Sequence, residues 1–241
     1  MQRRIWSVAL TFIVLLTQAP LITGKDAGVQ TLKEQERNTL SLELQFMKKN
    51  RNAFQRAISL LNYGPNGYAT GFLVGDRLAM TAYHVVSGEL SDSKKLILGF
   101  KADDQLEVKV YVNGCQASVI KVDEEADLAL LALCGPAKKT RTPLFQPTPS
   151  RDEKLFLIAK PHGDKRVSLG FFHGAYTFRG QEYWSARLEG RDGYSGSPVY
   201  NQNAEVVGVF SGYDWNQKVA LISPSIKAQK LLEDYISSSK P

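Results

Sequence analysis

The sequence has few of the histidine and cysteine side chains from which zinc sites are built. Its 241 residues include only three histidines and two cysteines, and these are too scattered to match the ligand spacing of a zinc site. No glycine-rich loop of the phosphate-binding type occurs, and no stripe of Lys and Arg interleaved with aromatic residues marks a nucleic-acid-binding face. We therefore expect no metal ion, no cofactor and no nucleic acid among the ligands of this chain.

Long apolar runs are absent after the first residues. The one mostly apolar run, Ile5–Thr17, follows Arg3 and Arg4 and is followed by small and polar residues up to Gly24. It is short for a membrane-spanning helix, which needs about 20 residues. A basic start, an apolar run of this length and small residues after it are typical of a secretory signal peptide. We predict that residues 1–24 are removed on export; the alternative is an uncleaved membrane anchor.

The rest of the composition is that of an ordinary globular protein. Hydrophobic residues make up 43% of the chain and charged residues 22%, and the length allows one or two domains. Removing residues 1–24 removes two arginines and no acid, which lowers the net charge from +6 to +4. We expect the exported chain to be secreted or periplasmic, without stable membrane association after signal removal. Its oligomeric state is left open.

The two cysteines are placed as partners would be. Cys115 and Cys134 are symmetric about the acidic turn Asp123–Glu125, so the flanking runs would bring them together if they formed a hairpin. Cross-strand Cβ atoms lie about 4.5–5.5 Å apart, which is near the limit of what a disulfide can close. Because exported proteins are oxidised, we predict a Cys115–Cys134 disulfide; the alternative is two free buried thiols.

Short apolar runs dominate the chain from Phe54 onward. They are rich in β-branched and aromatic residues and are separated by turn residues, a pattern typical of an all-β sandwich or barrel. The stretch Lys138–Asp152 contains three prolines and is interpreted as a linker between two halves of similar size. After Ser223 and Pro224, apolar residues recur at helical spacing, which predicts a C-terminal helix over about 224–238.

Residues 25–52 fit two secondary structures. Leu40, Leu42, Leu44 and Phe46 alternate as in a strand, whereas Leu40 and Leu44 also belong to one face of a possible helix. Short segments often match both periods. We predict a helical or extended N-terminal arm before a main domain at 53–241, and leave open whether the arm is a removed pro-segment.

One serine has the surroundings of a nucleophile. Ser195 lies between Gly193 and Gly196, whose flexibility allows a tight turn that exposes a hydroxyl and aims backbone N–H groups at an oxyanion. A base is available in His84, which follows a predicted strand, and an acid in Asp127, where a polar turn meets a buried run. Singly, each residue fits a structural role, as we assume for His162 and His173. Together, His84, Asp127 and Ser195 follow one of the known orders of a catalytic triad.

Three motifs resemble the signatures of the trypsin-like serine peptidases. They are Thr81–Val85, Asp127–Leu131 and Gly193–Pro198, and the nearest branches are the bacterial high-temperature-requirement proteases and the glutamyl endopeptidases. The resemblance covers about residues 53–238. It implies an all-β fold of two six-stranded antiparallel β-barrels, at about 53–137 and 150–223, with the active site between them. It also implies a triad of His84, Asp127 and Ser195, and an oxyanion hole formed by the N–H groups of Gly193 and Ser195.

The same resemblance suggests which residues contact substrate. It places Glu189, Phe210 and Ser211 at the substrate pocket. A buried carboxylate at Glu189 would favour Lys or Arg side chains because a buried charge needs a partner; the alternative is that Glu189 faces solvent beside Arg187 or Arg191. Phe210 stands where the glutamyl endopeptidases carry a specificity histidine, so strict cleavage after Glu is disfavoured, and its bulk would instead narrow the pocket.

These patterns predict a secreted serine endopeptidase that acts on polypeptides through an acyl-enzyme. Tyr194 replaces the aspartate that pairs with a newly cut N-terminus in the animal digestive members, so that activation switch has no support in this sequence. Two alternatives stay open. One is a non-catalytic secreted binding protein that retains the fold, and the other is an esterase that uses the same triad.

Overall fold

The computed structural model describes residues 33–50, 65–135 and 142–239. The predicted signal peptide, and the part of the predicted arm before residue 33, lie outside these ranges. In the described part of the chain, no helix combines the length and the apolar character needed to cross a membrane.

The first half of the chain folds into a closed six-stranded antiparallel barrel with the strand order β1–β2–β3–β6–β5–β4. Its strands are β1 (Thr39–Lys48), β2 (Gly67–Gly75), β3 (Leu78–Thr81), β4 (Leu106–Val112), β5 (Cys115–Asp123) and β6 (Leu128–Ala132). A short 3-10 turn, Tyr83–Val85, follows β3, and helix α1, Asp92–Ile97, lies between β3 and β4.

The second half forms another closed six-stranded barrel, with the order β10–β11–β12–β9–β8–β7. Its strands are β7 (Lys154–Ala159), β8 (Arg166–Phe178), β9 (Gln181–Ala186), β10 (Pro198–Tyr200), β11 (Val206–Asp214) and β12 (Val219–Pro224). A 3-10 turn at Pro161–Gly163 joins β7 to β8, and helix α2, Ser225–Ser238, ends the described chain. The two predicted six-stranded barrels and the C-terminal helix are therefore confirmed.

The predicted start of the domain at residue 53 is wrong, because residues 39–48 form a barrel strand. β1 pairs along one edge with β2 and along the other with β4. Its alternating side chains Leu42, Leu44 and Phe46 are buried, so the period-two pattern was the meaningful one. Without β1 the first sheet would have two open edges, which closure into a barrel removes. Only a helical stretch at 33–38 precedes this strand in the described residues.

Three buried apolar clusters hold the structure together. One fills the first barrel and includes Leu73 and Leu131, and another fills the second and includes Leu157 and Ile222. The third, which we call the middle cluster, lies between the barrels. It joins residues of the first barrel, of the second barrel and of α2, namely Phe72, Val74, Met80, Ala126, Leu128, Leu130, Ile158, Tyr200, Val206, Val209, Ala228, Leu231 and Leu232. The barrels thus share buried surface beside the cleft.

The two cysteines lie at disulfide distance, as the hairpin symmetry predicts. β5 and β6 form the expected hairpin around the acidic turn. The Cα atoms of Cys115 and Cys134 are 6.1 Å apart, and their sulfurs are joined. The bridge closes the open end of the hairpin, opposite the turn that leads to Asp127.

Candidate active site

The imidazole of His84 and the carboxylate of Asp127 are in direct contact. His84 Nδ1 lies 2.9 Å from Oδ2 and 3.1 Å from Oδ1 of Asp127. The backbone N–H of His84 also donates to Oδ1, at 2.9 Å. One carboxylate therefore holds both the ring and the backbone of the same residue. An Nδ1–H donated to a carboxylate fixes the tautomer in which Nε2 is free to accept a proton.

The turn before β6 places this carboxylate. Asp127 is 8% exposed and has a backbone φ of +52°, a left-handed conformation that Asp tolerates better than most residues. The turn is held by two local bonds, from Ala126 N to Asp123 Oδ1 at 2.9 Å and from Asp127 N to Glu124 O at 3.2 Å. From the second barrel, the Ser223 hydroxyl donates to the carbonyl of Ala126. The position of the acid is thus fixed on both sides.

Two tyrosines report on the charges around this pair. The hydroxyl of Tyr83, next to His84, donates to Glu124 Oε1 at 2.9 Å, and this hydrogen bond raises the pKa of Tyr83 above its ordinary value. Burial, followed by the negative charge of Asp127, raises the pKa of Tyr183 to about 12. Tyr183 belongs to β9 of the second barrel.

Ser195 lies in a tight turn that glycines make possible. The N–H of Tyr194 donates to the carbonyl of Arg191 at 3.1 Å, and Gly193 has φ +83°, the combination found in a type II turn. Gly196 follows with φ +82°. Its N–H donates to the carbonyl of Phe210 at 2.8 Å, which ties the turn to β11.

The neighbouring peptide groups are bonded in a way that leaves two N–H groups free. Tyr194 O accepts from Ser197 N at 2.9 Å, which fixes the peptide that carries the Ser195 N–H. Within the described ranges, the N–H groups of Gly193 and Ser195 donate to no acceptor. Two free amides on one turn that carries a serine are what an oxyanion hole requires.

The pair and the serine face one cavity. His84, Gly193 and Ser195 all line an open cleft of about 950 Å³ between the barrels. Among the described contacts, no hydrogen bond joins the Ser195 hydroxyl to His84. Catalytic hydrogen bonds are often long without substrate and shorten in the substrate complex. The structure therefore joins two members of the predicted triad directly and brings the third to the same cavity.

The three predicted substrate-contacting residues separate into two groups. Phe210 and Ser211 line the cavity, and the Ser211 hydroxyl is buried without a partner among the described residues; their contact with substrate stays a prediction. Glu189 does not line it. Its side chain is 59% exposed and accepts from Arg191 Nε at 2.8 Å. The structure thus places Glu189 in solvent beside Arg191, which is the alternative stated above, and removes the basis for a Lys or Arg preference.

Several cavity residues have no local signal in the sequence. Ile97 of α1 and Trp215, just after β11, line the cleft and are 83% and 73% exposed. His162, interpreted above as structural, also lines it, with its ring centroid 3.8 Å from that of Tyr68. These residues come together only because the barrels dock, so no single motif contains them.

Comparison with known proteins agrees with the two-barrel fold. The sequence profile described as the trypsin-like peptidase domain matches residues 69–209, more than half of the chain. Among solved structures, the chain is similar to the Rv3671c protease in its inactive form, with a TM-score of 0.55 and 16% identity over 90% of this chain and 96% of that one. It is also similar to a serine-to-alanine mutant of Rv3671c from M. tuberculosis H37Rv, again an inactive form, with a TM-score of 0.54 and 18% identity over 95% of this chain and 99% of that one.

At these identities the structural similarity supports the fold alone. Among curated protein sequences, none matches the chain significantly. The family assignment therefore depends on the profile match, with which the two-barrel fold agrees. This chain belongs to the trypsin-like peptidase family.

Proposed function

We propose that this protein is a serine endopeptidase in which Ser195 is the nucleophile, His84 the base and Asp127 the orienting acid. The observation that carries the proposal is the double contact between His84 Nδ1 and the Asp127 carboxylate, at the wall of a cavity that Ser195 also lines. The contact with Asp127 prepares the His84 imidazole to accept a proton. The Ser195 hydroxyl, which must lose its proton to act as a nucleophile, lines the same cavity.

The proposed reaction follows from these positions. Ser195 Oγ attacks the carbonyl carbon of the scissile bond while its proton passes to Nε2 of His84. The carbonyl oxygen becomes an oxyanion, which the N–H groups of Gly193 and Ser195 stabilise. His84 then protonates the leaving amine as the C–N bond breaks, and water cleaves the acyl-enzyme by the same route. Asp127 stays ionised and stabilises the imidazolium.

Further parts of the proposal concern location and relatives. A signal peptide at residues 1–24 would deliver the enzyme to the cell exterior or the periplasm, where it would act on polypeptides. N-terminal sequencing of the exported protein tests this, because a start at residue 1 would contradict it.

Membership of the high-temperature-requirement or the glutamyl endopeptidase branch stays a prediction from motif resemblance.

We expect the enzyme to prefer substrates with small side chains at the part of the cavity that Gly190, Phe210 and Tyr213 line. A Cβ added at Gly190 would lie 2.8 Å from Cζ of Phe210 and 2.9 Å from Cδ2 of Tyr213. Two aromatic rings therefore pack against the backbone of Gly190, on the side of the cleft next to the Ser195 turn. Since interiors are close-packed, space filled by protein rings is not available to a large substrate side chain.

The nucleophile is tested by covalent labelling. A fluorophosphonate probe should label the protein once, and peptide mapping should find the label on Ser195. Ser195→Ala should abolish labelling and reduce the rate of peptide hydrolysis by about 10⁴–10⁶-fold. Ser118→Ala, at an exposed serine of β5, is the matched control and should be labelled like the wild type. A label on another serine would contradict the assignment.

The same preparation separates the rival functions. Hydrolysis of casein that Ser195→Ala abolishes supports the endopeptidase. Hydrolysis of nitrophenyl esters with intact casein indicates an esterase that uses the same residues. Absence of labelling and of both activities would indicate a binding protein that retains the fold.

A further inference from the structure

Thr70 of β2 lies at the place where the first barrel meets the turn of the second barrel that carries Ser195. It is fully buried and does not line the cavity. A buried hydroxyl far from any ligand commonly completes hydrogen bonds of its own strand. The partners of the Thr70 hydroxyl are instead on the other barrel.

Three hydrogen bonds join Thr70 to the second barrel. Its hydroxyl donates to the carbonyl of Gly193 at 2.8 Å and accepts from the N–H of Lys160, at the end of β7, at 3.0 Å. Its own N–H donates to the carbonyl of Ser195 at 3.0 Å. One residue thus holds the carbonyl groups of both residues whose N–H groups form the proposed oxyanion hole.

These bonds fix two peptide planes at both ends. The peptide between Gly193 and Tyr194 is held at its carbonyl by Thr70 and at its N–H by Arg191 O. The peptide between Ser195 and Gly196 is held at its carbonyl by Thr70 and at its N–H by Phe210 O. Because a peptide group is planar, fixing these planes fixes the backbone on the C-terminal side of Gly193 and of Ser195. The free N–H groups of the two residues belong to the preceding peptide planes, each of which is joined to a fixed plane through one Cα.

Thr70 is itself held by the strand that leads to the base. The hydroxyl of Thr81, the last residue of β3, donates to the carbonyl of Thr70 at 2.8 Å, and His84 follows three residues later. Gly196 packs against both threonines, since a Cβ there would overlap the Thr81 hydroxyl and the Thr70 carbonyl. The turn that carries the nucleophile therefore rests on the strand pair that carries the base.

We propose that Thr70 is a positioning residue of the oxyanion hole, whose hydroxyl sets the orientation of the Gly193 N–H through the Gly193 carbonyl. The inference rests on the proposed serine peptidase function and deepens it. Displacing a reacting group by about 1 Å can cost on the order of 100-fold in rate. Loss of this hydroxyl should therefore reduce turnover while substrate binding at the cavity walls persists.

The test compares three variants of the full-length protein. Thr70→Val keeps the shape and removes the hydroxyl, whereas Thr70→Ser keeps the hydroxyl and removes a methyl group. Thr39→Val is the matched control, because Thr39 is also buried and donates a comparable bond to the carbonyl of Gln35 at 3.1 Å, away from the cavity. The readouts are kcat and KM on a fluorogenic peptide that the wild type cleaves, and the rate at which a fluorophosphonate probe labels Ser195.

A positioning role predicts a specific pattern. Thr70→Val should lower kcat and the labelling rate about 10- to 100-fold, with KM changed less than about threefold. Thr70→Ser should recover both rates to within about threefold of the wild type, and Thr39→Val should retain them. If Thr70→Val does not fold, Thr70→Cys replaces it. Because a thiol is a weak hydrogen-bond donor, kcat and the labelling rate of Thr70→Cys should be lower than those of Thr70→Ser, by less than the 10- to 100-fold expected for complete loss of the hydroxyl.

Three results would overturn the inference. They are wild-type rates in Thr70→Val, equal impairment of Thr70→Ser and Thr70→Val, or a loss confined to KM. Each would mean that the hydroxyl only supports packing. A wild-type protein that is not labelled at all would overturn the proposed function as well, whereas a labelled wild type with an equally labelled Thr70→Val overturns only the role of Thr70.

Discussion

The two barrels hold their functional groups by different means. In the first barrel, His84 and Asp127 lie on separate loops and are positioned by contacts between their side chains and nearby amides. In the second barrel, Ser195 and the two free amides are positioned mainly by backbone bonds and by glycines with positive φ, with the Thr70 hydroxyl as the side-chain contact from the first barrel. The first arrangement depends on which side chains are present, and the second depends on which backbone shapes the residues allow.

The barrels also differ in where their strand pairing is irregular. The second barrel has three register shifts, and only the one between Phe210 and Gly212, where β11 pairs with β12, involves residues that line the cavity. The shifts of the first barrel, between Leu73 and Gly75 and between Val119 and Lys121, involve residues that do not line it. Bulges redirect side chains near active sites, so the irregular pairing of β11 shapes the pocket.

If side-chain identity governs the first barrel, Asp127→Asn should produce the largest effect. The amide cannot stabilise an imidazolium and favours the wrong tautomer of His84, so kcat should fall by about 10⁴-fold with the fold intact. Steady-state kinetics on a peptide substrate measures this. Glu125→Gln, at an exposed acid of the same turn, should keep the wild-type rate. A loss of less than tenfold in Asp127→Asn would mean that the His84–Asp127 contact is structural.

If backbone shape governs the second barrel, Gly196→Ala should strongly lower the free energy of unfolding. Ala at φ +82° is strained by about 1–2 kcal/mol, and its Cβ would also overlap oxygens of Thr70 and Thr81. We expect a total loss of more than about 4 kcal/mol in the free energy of unfolding, at the extreme of what point mutations cost.

Gly114→Ala separates strain from overlap. Gly114 has φ +75°, and an added Cβ would meet nothing within 4 Å. This variant should lose only the strain, about 1–2 kcal/mol, in urea unfolding. Equal losses in the two variants would show that the packing of Gly196 against the first barrel contributes nothing.

The smallest expected effect concerns the pocket. Phe210→Leu replaces the ring that packs against Gly190 with a smaller side chain. Peptides with larger side chains at the cleavage position should therefore be cleaved with a higher kcat/KM. We expect the ratio of kcat/KM between Leu and Ala peptides to rise about tenfold, in the range that small pocket changes produce. Phe172→Leu changes a buried ring of the same core cluster that does not line the cavity, and should leave the ratio unchanged. An unchanged ratio in Phe210→Leu as well would show that other residues limit the pocket.

The sequence predicts the features that short motifs contain. The three members of the proposed triad, the glycine turn and the C-terminal helix each depend on a few neighbouring residues. In the structure His84 and Ser195 line one cavity, and Asp127 contacts His84 from behind it. The start of the domain could not be read in this way, because the apolar positions of β1 satisfy a helical and a strand period equally. Only its pairing with β2 and β4 decides between them.

Side-chain direction and long-range contacts account for the remaining features that the sequence does not show. The position of Glu189, six residues before Ser195, says nothing about where its carboxylate points, and Arg191 draws it into solvent. Thr70 begins the fragment Thr70–Val74, which resembles the trypsin-like peptidase family, but nothing in that fragment shows that its hydroxyl bonds to Gly193, 123 residues away in sequence. His162 is interpreted as structural because a lone histidine usually is, and nothing near it in the chain shows that it would line the cleft.

The middle cluster has a consequence for how the protein is inherited as a unit. Its residues come from both barrels and from α2, so neither half of the polypeptide contains the partners that its own apolar surface needs. A gene fragment that encodes one barrel would yield a product with an exposed apolar surface, which would favour aggregation. Recombination between relatives should therefore give a folded protein when residues 39–238 are exchanged as one block. A junction in the linker between the barrels should give a misfolded product, unless the middle-cluster residues of both halves come from the same parent.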